Sequence, residues 1–158
     1  MGDPGLLVSR SIRRRPVRTR VAFLAHHDHR DHGAFDDFLH RYGGVVDVID
    51  VRLPLVTVAR RIAQAGTVVS SSLHGLIVAD SLGVPAERAL TGEGLLGGNV
   101  KFDDYEAVVK PEPRWLEVDG QTSLEALERV ATTVDAARVR TIQDDLLRAL
   151  HGALARQG

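Results

Sequence analysis

Cysteine is absent from these 158 residues. That excludes a disulfide framework and any thiolate-bound metal, and it leaves the redox compartment open. Aromatic residues make up only 4% of the chain, with one Trp and one Met, so a core must be built from Val, Leu, Ala and Ile, the usual stock of α/β sheets. Neither sign of charge prevails. A formal net charge of −1 exerts no general pull toward nucleic acid or an anionic membrane. Long apolar runs are missing as well: none approaches the roughly 18 residues that span a bilayer, and the first residues lack the apolar stretch of a secretory signal. These absences predict a cytoplasmic, soluble protein. With 44% hydrophobic and 26% charged residues, the length suits one globular domain with a real core.

What is present reads as alternating strands and helices. Residues 9–20 (SRSIRRRPVRTR) hold six arginines with little periodicity. They are either a solvated arm or a contact for phosphate or an anionic polymer, and without interleaved aromatics they make no nucleic-acid module. Residues 21–25 (VAFLA) form a short continuous apolar run, the mark of a strand buried on both faces. A short helix is expected over 33–42, a β-branched strand over 45–51, and a helix from Pro54 to about Ala65 with Gly66 as its stop. Thr67 to Ser70 is the third strand. A helix opens near His74 and ends at Gly83, a further extended segment lies near Ala89, and residues from Thr122 to about Gln157 turn helical, as one bent helix or two. The expected fold is a three-layer, Rossmann-like α/β domain: an arginine-rich arm over 1–20, a parallel-sheet core over 21–110 and a helical segment over 111–158.

Ligands of open α/β sheets bind beyond the carboxyl ends of the strands, where helix N-termini point. Ser70, Ser71 and Ser72 occupy that place after the third strand, with the next helix opening at Leu73-His74-Gly75. Free backbone N–H groups and the positive end of the helix dipole favour a phosphate or carboxylate there. The hydroxyls add donors, His74 adds a group that titrates near neutral pH, and Gly75 permits close backbone approach. Serines before a helix are also ordinary N-caps, so local chemistry leaves both readings open.

The run SSSLHGLIVADSLGVP (70–85) is similar to the signature of the polysaccharide pyruvyl transferase family, in its exopolysaccharide branch. Gly98-Asn99-Val100-Lys101-Phe102-Asp103-Asp104-Tyr105 resembles a downstream segment of that family. Gly2-Asp3-Pro4-Gly5-Leu6-Leu7 looks like the family's entry into its second domain, and Ala25-His26 stands where a Pro-His pair is usual. The resemblance implies the C-terminal half of a two-domain, glycosyltransferase-B-like enzyme. Its donor would be phosphoenolpyruvate, with no other cofactor and no resident metal, and its product a pyruvate ketal on two hydroxyls of a saccharide. It implies His74 and Asp104 as catalytic groups, and Ser70, Ser71, Ser72, Leu73, Gly75, His26, Lys101 and Tyr105 around the substrate. Many family members carry Arg where this chain has Ser72, and Lys101 is the expected replacement for that charge. A homo-oligomer or a separate polypeptide would then supply the other half. A non-catalytic binding module for phosphorylated or sugar ligands is the alternative.

One cluster competes. Residues 26–32 (HHDHRDH) hold four of the seven histidines, and within them 27–32 read His-x-His-x-Asp-His, which resembles the zinc motif of the metallo-β-lactamase superfamily and would make a metal-dependent hydrolase. Against it stand the short chain, the parallel order of elements and the unsuitable contexts of His40, His74 and His151.

Overall fold

The computed structural model describes residues 3–26, 33, 35–90, 100–110 and 115–156. Five strands form one parallel sheet: β1 (Thr19–Leu24), β2 (Asp47–Val48), β3 (Ala65–Ser70), β4 (Ala86–Leu90) and β5 (Trp115–Glu117), in the order β2-β1-β3-β4-β5. The described helices are α1 (Asp36–Tyr42), α2 (Leu55–Ile62), α3 (Leu73–Ser81), α4 (Val100–Val109), α5 (Leu124–Val130) and α6 (Ala136–Leu154). A 3-10 turn, Pro4–Arg10, precedes them.

The continuous apolar runs become central strands because both faces of the sheet are covered. Along β1, Ala22 and Leu24 face a cluster with Ala59 and Ile62 of α2 and Leu76 and Ala79 of α3. Val21 and Phe23 face the other way, against Phe35, Phe38 of α1 and Leu124 and Leu127 of α5. The scarce aromatics gather there, the Phe23 ring lying 4.8 Å from Phe35 and 5.3 Å from Phe38. The result is the three-layer, Rossmann-like fold expected from the alternation of elements. The chain winds from β1 out to β2, then returns across β1 to β3 and onward, so the order reverses between β1 and β3. That reversal is the topological switch point, where open α/β sheets leave a crevice.

Several boundaries differ from expectation for physical reasons. Gly66 does not stop a helix. It lies within β3, where a Cβ would meet the Arg20 carbonyl oxygen at 2.8 Å, and α2 ends earlier, its cap Ala63 donating to Ala59 O. The second strand shortens to Asp47–Val48 because only Ala22 and Phe23 of β1 offer it partners at the sheet edge. A fifth, three-residue strand, β5, pairs in parallel with β4 inside the segment expected to be helical. The remaining helical segment is two helices. Thr132 bridges to Ala86 of β4 between them, and Ser123 and Asp135 cap the respective N-termini.

The arginine-rich arm remains solvent-exposed for most of its length, yet its backbone is pinned: the N–H of Arg15 donates to Ala63 O and that of Arg18 to Gln64 O. Upstream, Asp3 accepts from the Gly5 N–H at 2.7 Å and caps the 3-10 turn, with Pro4 in the first turn. Gly5 is required there, since a Cβ would meet Ile77 Cγ2 at 2.9 Å. Leu6 is thereby sunk to full burial beside Ile77, Tyr105 and Val139. Gln143 of α6 donates to Leu6 O at 2.6 Å and Ser81 of α3 donates to the same oxygen at 2.6 Å, so the turn is locked between those helices.

Candidate functional site

The switch-point crevice is closed at its base by the serines. The Ser71 N–H donates to Leu24 O at 3.0 Å, and the His26 N–H donates to Ser71 Oγ at 2.9 Å. Ser70 Oγ accepts from the Ser72 N–H at 3.0 Å and lies within donating distance of Leu24 O (3.1 Å) and Ser72 O (2.9 Å). Ser70 and Ser71 are fully buried. Their hydroxyls tie the end of β1 to the end of β3 and fix where His26 and the first turn of α3 stand.

Ser72 differs. It is the N-cap of α3 in extended geometry, but its side chain makes no capping bond. It lines the cleft instead, together with Leu24, His26, Arg52, His74 and Gly75. The cleft measures about 670 Å³, the size of a small-molecule site, with apolar walls from Val51, Leu53, Leu55 and Val58. The opening N–H groups of any α-helix have no partner within it, so those of α3 point toward this space with the positive end of the dipole. His74 is exposed at the rim. Gly75 has a packing role: a Cβ there would stand 2.5 Å from Ser70 Oγ and 3.2 Å from Leu24 Cδ2, so the glycine brings α3 down onto β3. The close approach expected at this position is between helix and strand.

The other expected residues belong elsewhere. Lys101, Asp104 and Tyr105, with Leu73, line a second cleft of about 330 Å³. Asp3 borders both clefts. Asp104 and Tyr105 sit on α4. Tyr105 donates its hydroxyl to Asp80 Oδ2 at 2.8 Å in a buried contact. Burial, opposed by Lys110 and by this bond, pushes the Asp80 carboxyl up to about 6, and burial beside Asp80 raises the Tyr105 phenol. The side chain that the sequence reading missed is Arg52, on the loop after β2. An Asp-x-Arg at the carboxyl end of a strand was its available signal.

A cluster of buried charge lies between β4 and α4 and lines neither cleft. Arg88 sits 4.2 Å above the Phe102 ring, donates to Asp103 Oδ1 at 3.2 Å and stands 3.7 Å from Glu106 Oε2. Glu106 is fully buried with no hydrogen bond to either carboxylate oxygen among the described residues. Burial raises it to about 7, against the pull of Lys110 and Arg88.

Of the histidine cluster, only His26 falls within the described residues; positions 27–32 lie outside them. Among the described residues no group of three or more His, Cys, Asp or Glu is placed to hold a metal. Nor, among them, is any helix long and apolar enough to cross a membrane.

A parallel sheet with a serine-histidine strand-to-helix turn at its switch point defines a Rossmann-like α/β domain. The chain belongs to the polysaccharide pyruvyl transferase family, whose model matches residues 4–86, just over half of its length. The match runs from the 3-10 turn into β4 and contains Ser70–Gly75, but it stops before Lys101. No curated protein and no solved structure matches the chain.

Proposed function

We propose that this chain acts in transfer of pyruvate from phosphoenolpyruvate to a saccharide, as a ketal across two hydroxyls. The observation that carries the reading is the meeting of His26, Ser72, His74 and the α3 N-terminus in one cleft inside the family-matched segment. The donor carries a phosphate and a carboxylate, and a helix N-terminus favours such groups.

The chemistry needs proton transfer at two points. Protonating the methylene carbon of the enol phosphate makes its neighbour electrophilic, and one sugar hydroxyl adds there. Phosphate then leaves, and the second hydroxyl closes the ketal. Each hydroxyl loses a proton: one balances the new methyl group, and the other leaves on the phosphate as hydrogen phosphate. His74, exposed at the rim, is the group we assign to proton transfer. Asp104 can accept a sugar hydroxyl proton only from an acceptor that reaches into the second cleft, which shares Asp3 with the first. The opposing wall is supplied from outside these 158 residues, and the reaction takes place in the cytoplasm.

Phosphoenolpyruvate should raise the unfolding temperature of the wild-type chain, and His74→Ala should abolish the rise. No shift at millimolar ligand would count against the assignment. Binding without phosphate release, with pyruvate acceptors present, would favour a binding module.

A further inference from the structure

The cleft contains a cation that the serine-histidine turn does not supply. Arg52 donates from its backbone N–H to Asp50 Oδ1 at 2.9 Å, from Nε to the same oxygen at 3.1 Å, and from Nη2 to Asp50 Oδ2 at 3.1 Å. One carboxylate therefore fixes both the loop and the plane of the guanidinium, while the Arg52 side chain stays 57% exposed. Among the described residues lining this cleft, Arg52 is the sole Lys or Arg, whereas Lys101 lines the neighbouring one. A second observation comes from Ser72. It is only 5% exposed, it lines the same cleft, and its hydroxyl makes no hydrogen bond among the described residues. With no such bond, that hydroxyl is available to donate to an anionic oxygen in the cleft.

The geometry points to Arg52 as the anchor for a phosphate or carboxylate group in this cleft, with the Ser72 hydroxyl and the first N–H groups of α3 as further donors. Asp50 is a positioning residue that presents the guanidinium. A planar fork suits a tetrahedral or planar oxyanion better than an ammonium does. The identity of the anion as part of phosphoenolpyruvate rests on the function proposed above; the existence of the anion site does not.

The test titrates inorganic phosphate and phosphoenolpyruvate separately against wild type, Arg52→Gln, Arg52→Lys and Lys101→Gln, by thermal shift and calorimetry. Arg52→Gln should lose about tenfold or more in affinity for both ligands, the scale of one charge-assisted contact. Its ligand-free unfolding temperature should stay near that of wild type, since the side chain is more than half exposed. Arg52→Lys should recover only part, because an ammonium cannot keep the two-oxygen contact with Asp50, and Lys101→Gln should bind like wild type. Unchanged phosphate affinity in Arg52→Gln, or its loss in Lys101→Gln instead, overturns the inference. Phosphate bound through Arg52 without phosphoenolpyruvate binding keeps the site and sinks the donor reading. Binding of neither ligand to wild type sinks both.

Discussion

The Tyr105 hydroxyl reaches across from α4 to donate to Asp80 on α3 at 2.8 Å, and Asp80 is 99% removed from solvent. This bond joins two helices that both border the second cleft, and the N-terminal end of α3 borders the first as well. Removing a donor from a buried carboxylate leaves the acceptor unsatisfied, at a cost of about 1–3 kcal/mol. Tyr105→Phe should therefore lower stability by that amount in chemical denaturation at pH 8. At pH 5, below the Asp80 value of about 6, the carboxyl is protonated in the folded state and the penalty should shrink. An equal loss at both pH values would show that Asp80 does not titrate between them in the folded state.

Glu106 gives a pH signature of definite sign. Its folded value of about 7 exceeds its ordinary 4.5, so the folded state holds the proton more tightly than the unfolded chain. Stability from this group is fully present below pH 4.5 and is lost as pH rises through 7. Glu106→Gln mimics the protonated form. Relative to wild type it should gain in stability between pH 5 and pH 8, by up to about 3 kcal/mol on the linkage of one pKa unit to about 1.4 kcal/mol. Asp80 adds a slope of the same sign, so the measurement is the difference between variant and parent. A flat difference across that range would contradict the assigned burial.

Gly75 is held by Ser70. The added methyl of Gly75→Ala would lie 2.5 Å from Ser70 Oγ, an atom already committed to Ser72 and to the β1 end. Overpacking of this kind costs about 1–3 kcal/mol, outweighing the gain of about 1 kcal/mol from replacing glycine in a helix. Ser70→Ala removes the clashing oxygen. In a double-mutant cycle it should recover part of the Gly75→Ala loss, and additive losses would mean that the Ser70 oxygen is not the obstacle.

How far the sequence could be read depended on how many faces of each element are buried. β1 and β3 announce themselves because continuous apolar runs have few other uses in a chain of this length. Gly66 misled because one residue type serves both helix ends and close strand approach, and only the Arg20 carbonyl decides between them. β5 could not be read: three residues at a sheet edge, with Trp115 60% exposed, have no periodicity to show. α4 was more accessible, since Phe102, Tyr105 and Val109 already fall at helical spacing and all are buried. The serine-histidine turn was legible as a position on the fold. Its neighbours were not, because Lys101 and Arg52 are both far from it in sequence, and only the winding of the sheet brings Arg52 to the same cleft.

Adjacent serines should separate by role. Ser71 Oγ is fully buried and accepts the His26 N–H at 2.9 Å, so Ser71→Ala removes a bond that ties the end of β1 to the end of β3. A fall of about 0.5–1.5 kcal/mol in stability is expected, the net contribution of one hydrogen bond. Ser72 makes no capping bond, so Ser72→Ala loses no intramolecular hydrogen bond and the ligand-free protein should unfold within about 0.5 kcal/mol of wild type. If the cleft binds an anion, the phosphate-induced shift should fall in Ser72→Ala because the hydroxyl faces the ligand. In Ser71→Ala it should also fall, but together with intrinsic stability, since His26 and the first turn of α3 lose their common support. Intrinsic stability and ligand response thus move together for one serine and apart for its neighbour. A Ser72→Ala protein that is strongly destabilised but binds phosphate as wild type does would make Ser72 a structural cap and leave Arg52 as the anion's side-chain partner in the cleft.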